Sequence, residues 1–325
     1  MDKRVIPIVS LLIIGVVIWW YYRSKKGNIT IDHPFESDSS ILQRQSSFLQ
    51  SIQPILNLSF QDRYNRYISS KKNIKRYNFT TSNVALYLIK EFMMAAQFSL
   101  VAYSTMNDAI AQGVNQLGAS LIGAVNNGNC YAYVAMYNDT QILAIQGTEF
   151  VPGDYNIAEV WADLSITPKF LKKRSGIPSF MYVHSGFYDE LLDLWPRVIP
   201  LLNYNLPIWI CGHSLGGVRS MIARYLIPEY VKVRITTFGA PRGANAGFWS
   251  YVTLSNTVIE RILADNDFAG DWQPLLPYDH PSDSFYWLAH NSINLVTERD
   301  ELNVSFSDHS ILNSYIPKLQ RVISS

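Results

Sequence analysis

The chain has 325 residues, a formal net charge of +1 and 48% hydrophobic residues. Such a length suits one large domain with an appendage, and the near-neutral charge, with no basic stripe interleaved with aromatics, argues against nucleic-acid binding. Cys130 and Cys211 are the two cysteines, and they form neither a metal-ligand spacing nor a disulfide framework.

Residues 5–22 (VIPIVSLLIIGVVIWWYY) carry no charge. As a helix this stretch is about 27 Å long, enough for a bilayer core. Trp19, Trp20, Tyr21 and Tyr22 form an aromatic belt at its end, and Lys3, Arg4, Arg23, Lys25 and Lys26 bracket it. A cleaved signal peptide needs small side chains where those aromatics stand, so residues 1–26 read as a single-pass membrane anchor. Residues 27–80 are polar, rich in Ser, Gln, Asn and Tyr, and read as a linker or stalk. The remainder, 81–325, reads as the main folded domain.

Residues 83–103 have the spacing of a long amphipathic helix, with Ser82 or Asn83 as its cap and Met93, Ala96 and Leu100 on its apolar face. Two apolar runs, 131–136 and 141–146, flank Asn138-Asp139 and predict a hairpin. The second ends in Gln146-Gly147-Thr148. His184-Ser185-Gly186-Phe187 opens a helix expected over 188–202. Residues 207–211 are short, apolar and partly β-branched, which predicts a buried strand. Gly212-His213-Ser214-Leu215-Gly216 follows, and from Gly217 the spacing turns helical, with Val218, Met221, Ile222, Tyr225 and Leu226 on one face. Strand, sharp turn and helix around G-x-S-x-G is the setting of a nucleophile elbow, with Ser214 exposed at the strand end and nearby N–H groups facing a developing oxyanion. Further strands are expected over 233–238, ended by Gly239-Ala240-Pro241, and over 258–264, ended by Asp265-Asn266-Asp267. Strands alternating with helices imply an α/β fold with a mostly parallel sheet, whose sites gather at the C-terminal strand ends. Thr148, Ser214 and Asp267 all fall at such ends.

A serine nucleophile needs a base and a group that orients the base. His33 lies beside the anchor, His213 lies inside the elbow, and His184 precedes Ser214, against the order Ser, acid, His of α/β-hydrolases. His280 and His290 stand in a Pro- and aromatic-rich stretch that reads as irregular. His309 precedes the final helical stretch and is the favoured base. Asp267, directly after a strand, is the favoured acid; Asp271 is the alternative, and Asp163 and Asp300 read as structural or solvated.

Seven blocks in order now resemble the class 3 lipases, the fungal triacylglycerol lipase type of α/β-hydrolase. They are Ile145-Gln146-Gly147-Thr148, Trp161-Ala162-Asp163-Leu164, Val183-His184-Ser185-Gly186-Phe187, the elbow, Thr237-Phe238-Gly239-Ala240-Pro241-Arg242-Gly243, Asn266-Asp267-Phe268-Ala269, and Asp308-His309 with Tyr315. The resemblance implies a Ser214, Asp267, His309 triad and an oxyanion hole built by Thr148 and the Leu215 N–H. It also implies a lid over 151–160. Three departures stand out. Gln146 replaces the usual Arg, Ala269-Gly270 replaces the usual Val-Pro after the acid, and the gap between His309 and Tyr315 is longer than in the family's D-H-x-x-Y ending.

The implied activity is hydrolysis of carboxylic esters of lipids through an acyl-enzyme, with no metal or organic cofactor. The implied partners are a lipid ester substrate at an interface and a membrane reached through the N-terminal helix. A phospholipase of the same fold, a serine peptidase and a catalytically silent tethered module are the alternatives.

Overall fold

The computed structural model describes residues 84–104, 107–128, 130–147, 168–172, 180–264, 267, 278–281, 285–289, 292–296 and 307–325. The anchor at 5–22, the linker, the lid at 151–160, Thr148 and Asp271 lie outside the described residues. Among the described residues no helix is long and apolar enough to cross a membrane.

The centre of the domain is an eight-stranded sheet in the order β1-β2-β3-β6-β7-β8-β9-β10. Strands β1 (Ser120–Asn126), β2 (Tyr131–Tyr137) and β3 (Thr140–Ile145) form an antiparallel meander. The β2–β3 turn is the expected hairpin, with Asn138 at φ 50°. Strands β4 (Pro168–Leu171) and β5 (Met181–His184) pair with each other in a separate antiparallel ribbon. Parallel pairing begins where β3 meets β6 (Ile208–His213) and continues through β7 (Val233–Phe238), β8 (Thr257–Ala264) and β9 (Phe285–Leu288). Strand β10 (Ile293–Val296) closes the edge antiparallel to β9.

Both faces of this sheet are covered, as a parallel sheet requires. Alternate residues on one face, Tyr133 and Ala135, Ile142 and Ala144, Trp209 and Cys211, join a buried cluster with helix α1 (Leu86–Val101), helix α2 (Asn107–Gln116) and the C-terminal helix. The other parity, Val134, Leu143, Ile210 and Ile235, is equally buried. Helices α3 (Ser185–Val198), α4 (Leu215–Ala223) and α5 (Ala246–Leu254) complete the middle of the chain, and α6 (Ile316–Ser324) ends it. Burial pushes the Cys211 thiol pKa up, so it acts as a small core hydrophobe.

Helix α1 starts at Leu86 with Ala85 at its N-cap and no side-chain cap, two to three residues later than its sequence cap suggests. Extensive burial of Phe92, Ala95, Ala96 and Phe98 holds it without that cap. Helix α4 is buried all round, not on one face, because it lies beneath the strand ends that carry the site. The stretch around His280 and His290, read as irregular from its prolines and aromatics, contains β9 and β10 on either side of His290.

One polar network crosses the α1 face of the sheet. Arg234 makes two 2.9 Å hydrogen bonds to Glu260, pairs with Glu91 on α1 and lies 4.6 Å over the Trp209 ring. Trp209 Nε1–H donates to Thr236, whose hydroxyl donates to Glu260. Each partner of the buried Glu260 carboxylate is therefore supplied, which is the condition for tolerating charge at that depth.

Candidate active site

Ser214 sits between β6 and α4 with φ 57° and ψ −129°. That conformation is costly for a side-chain-bearing residue, about 1–3 kcal/mol, and is held by its surroundings. The Ser214 N–H donates to the Phe238 carbonyl on β7 at 2.9 Å, and the Ser214 carbonyl accepts from the Gly217 N–H at 2.9 Å. A side chain at Gly216 has no room, since a Cβ there would strike the Ile145 carbonyl and approach the Gly147 nitrogen at 2.8 Å. The end of β3, leading to Thr148, thus lies directly on the first turn of α4. Leu215 opens that helix, at its positive end.

Three elements meet at the serine. Ser214 Oγ–H donates to His309 Nε2 at 2.8 Å. His309 Nδ1–H donates to the Asp267 carboxylate, at 2.9 Å to one oxygen and 3.1 Å to the other. Tyr315 O–H donates to Asp267 Oδ2 at 2.5 Å. The direction of each bond follows from the carboxylate, which accepts only, and leaves His309 Nε2 as the acceptor for the serine. Asp267 is fully buried and His309 and Ser214 almost so.

Local structure explains how residues this far apart converge. Asp267 follows β8, its N–H bonded to the Ala264 carbonyl at 2.7 Å. Gly239, at φ 55° after β7, passes so close that a Cβ would strike Asp267 Oδ2 and stand 3.0 Å from His309 Nδ1. A glycine is required there on both counts. His309 ends a short 3₁₀ turn, Ser307–His309. Its neighbour Asp308 is held by Lys318 Nζ of α6 at 2.7 Å, and Lys318 also donates to Ser314. The longer gap before Tyr315 is taken up by one π-helical turn, Ile311–Tyr315, which brings the hydroxyl back onto the acid.

Asp267 lies on His309, while Asp271 falls outside the described residues. His184 is in the core, its ring stacked on Phe187 with centroids 3.9 Å apart. Gln146 keeps no cation of its own, but Arg219 of α4 reaches the Gln146 carbonyl at 3.1 Å and pairs with Glu190. Arg219 was not singled out by any motif; its place one turn beyond the elbow on a fully buried helix is the signal that finds it. Among the described residues no group of three or more His, Cys, Asp or Glu is arranged to hold a metal ion.

His184 and His213 share an electrostatic property. Burial lowers both pKa values to about 3, with Arg219 adding to the effect at His184 and His309 at His213. In the unfolded chain each binds its proton near pH 6.5. Between about pH 6.5 and 3 the unfolded state therefore holds more protons, and stability falls as pH falls. Unfolding free energies from urea titrations between pH 7 and pH 4 are expected to decline below about pH 6.5, with a slope approaching about 1.4 kcal/mol per pH unit for each histidine. An unfolding free energy that is flat through this range would show that the two rings are not buried neutral.

The α/β architecture and the Ser214–His309–Asp267 hydrogen-bond chain define a serine hydrolase on an α/β-hydrolase-type fold. The resemblance to the class 3 lipases is shown by the family's own pattern: the lipase (class 3) model matches residues 142–275. The chain is 24% identical over 244 residues to the secreted mono- and diacylglycerol lipase 1 of Fusarium solani, covering 68% of this chain and 69% of that protein. In structure it is similar to the triacylglyceride lipase of Rhizomucor miehei, with a TM-score of 0.56, 20% identity and coverage of 74% of this chain and 99% of the other. It is also similar to lipase II from Rhizopus niveus, with a TM-score of 0.53, 20% identity and coverage of 71% and 94%.

Proposed function

We propose that this chain is a membrane-anchored lipase that hydrolyses carboxylic esters of lipids through an acyl-enzyme. The observation that carries the reading is the continuous hydrogen-bond chain from Ser214 through His309 and Asp267 to Tyr315 at a strained strand-to-helix turn. In the first half-reaction Ser214 Oγ attacks the ester carbonyl and His309 Nε2 takes its proton. The same nitrogen then delivers that proton to the departing alcohol oxygen. Water attacks the acyl-enzyme in the second half, giving its proton to His309, and the carboxylic acid leaves as Ser214 recovers its hydrogen. Asp267 keeps the His309 Nδ1 proton in place and stabilises the imidazolium formed in each half. Thr148 and the Leu215 N–H are assigned to the oxyanion, each supplying roughly 3 kcal/mol of transition-state stabilisation.

Lipid esters are favoured as substrates by the class 3 match and by similarity to a mono- and diacylglycerol lipase. Anchoring is supported by the uncharged run at 5–22 with its aromatic belt and flanking basic residues. It would hold the site close to an insoluble substrate.

The test is hydrolysis of short- and long-chain p-nitrophenyl esters and of mono-, di- and triacylglycerols by the full chain in detergent. A fluorophosphonate probe applied in parallel reports whether the serine is reactive. Expected are labelling and faster turnover of glycerides than of a peptide anilide. Hydrolysis of a phospholipid in preference to every glyceride would move the substrate class to phospholipids. Absence of both labelling and turnover would leave a silent module on a hydrolase fold.

A further inference from the structure

His213, the residue before the nucleophile, takes no part in the chemistry above, yet it touches the machinery. Its ring is buried, with its centroid 4.7 Å from that of His309. Nε2 lies 2.5 Å from the backbone carbonyl oxygen of His309, and Nδ1 lies 2.7 Å from the Tyr103 hydroxyl. A carbonyl oxygen accepts only, so Nε2 carries the proton. A neutral imidazole has one N–H, so Nδ1 accepts and Tyr103 O–H donates. The geometry fixes one tautomer and one direction for both bonds.

We propose that Tyr103 and His213 are positioning residues that brace the backbone of His309 against the elbow, fixing the base relative to the nucleophile. The inference rests on the reading of Ser214 as nucleophile and His309 as base. Ser214 and Asp267 locate the two ring nitrogens of His309, but neither holds its main chain. His213 does, and it is covalently joined to Ser214, so base and nucleophile share one frame. Tyr103, two residues past the end of α1, locks the His213 tautomer that makes this bond. It also reaches the oxyanion side, because a Cβ on Gly147 would stand 2.5 Å from its hydroxyl.

The chemistry explains why a neutral donor is used. When His309 takes the serine proton it becomes a cation, and a second cation one ring away would oppose that charge. Lysine or arginine in this place would also compete for Asp267. Burial keeps His213 uncharged, and its N–H is supplied without charge.

The plain alternative is that His213 merely fills space, and the two readings separate in kinetics. His213→Phe keeps an aromatic ring and removes the N–H. Positional slack of about 1 Å costs roughly 100-fold, so kcat on a soluble ester is expected to fall about 10- to 100-fold. KM should change by less than about twofold, since no substrate contact is removed. His213→Gln restores an amide N–H near the Nε2 position and is expected to recover most of that loss. Tyr103→Phe, which removes one hydroxyl, is expected to lower kcat by a smaller factor, about 3- to 10-fold. In the His213→Phe background Tyr103→Phe should then add almost nothing, because the two act through one bond.

Full kcat in His213→Phe, failure of His213→Gln to exceed His213→Phe, or independent multiplication of the two losses would each overturn the brace. If His213→Phe does not fold, Tyr103→Phe alone decides: unchanged kcat overturns the proposal. Ser214→Ala is assayed alongside. Turnover that survives it would overturn the underlying reading of the site, while loss with Ser214→Ala and none with the brace variants would overturn only the brace.

Discussion

Ser214→Ala is expected to lower kcat for ester hydrolysis by about 10⁶-fold, while leaving the thermal midpoint of the protein nearly unchanged. Alanine keeps the Cβ, so the φ 57° turn is no more strained than before, and the Ser214 N–H and carbonyl bonds remain. His309 stays on Asp267 through Nδ1. What disappears is the oxygen that forms the acyl bond, for which neither the oxyanion donors nor substrate binding can substitute. The fluorophosphonate label should vanish with it. A variant within tenfold of the parent would reject Ser214 as nucleophile whatever its geometry.

Asp267→Asn is expected to be the next most damaging change, at about 10⁴-fold in kcat. The carboxylate now accepts from both His309 Nδ1–H and Tyr315 O–H. An asparagine has one oxygen for these two donors and presents an N–H on its other side. That N–H favours the His309 tautomer with Nδ1 bare and Nε2 protonated, which cannot take the serine proton. The imidazolium also loses its counter-charge in a site where Asp267 is fully buried. Asp271→Asn serves as the comparison, expected within a few-fold of the parent. If Asp271→Asn is the more damaging, the acid is Asp271.

The sequence carried the centre of the site and lost much of its periphery, for reasons visible residue by residue. The elbow was legible because strand, turn and helix are contiguous and the glycine at 216 is demanded by the end of β3 lying on it. His309 could be reached by elimination because chain order constrains the base. Strand β1 went unread because Gly123 breaks its run and its register shifts between Leu121 and Gly123. Helix α5 (AGFWSYVTL) is apolar nearly throughout, so it has no stripe to betray a helical period; only its Asn245 cap, accepting from the Phe248 N–H, marks it. Strands β9 and β10 are four residues each, too short for alternation to register. The tie of His213 to Tyr103 and to His309 spans 110 and 96 residues, and no local pattern encodes it.

The wide spacing of the converging groups has a consequence for biosynthesis. Ser214 is translated roughly a hundred residues before Tyr315, the last residue to join the hydrogen-bond chain. At synthesis rates of about 5–20 residues per second, the nascent polypeptide holds its nucleophile for about 5–20 s with neither base nor acid clamp complete. Throughout that interval the chain has a serine but not the base and the acid clamp that would activate it.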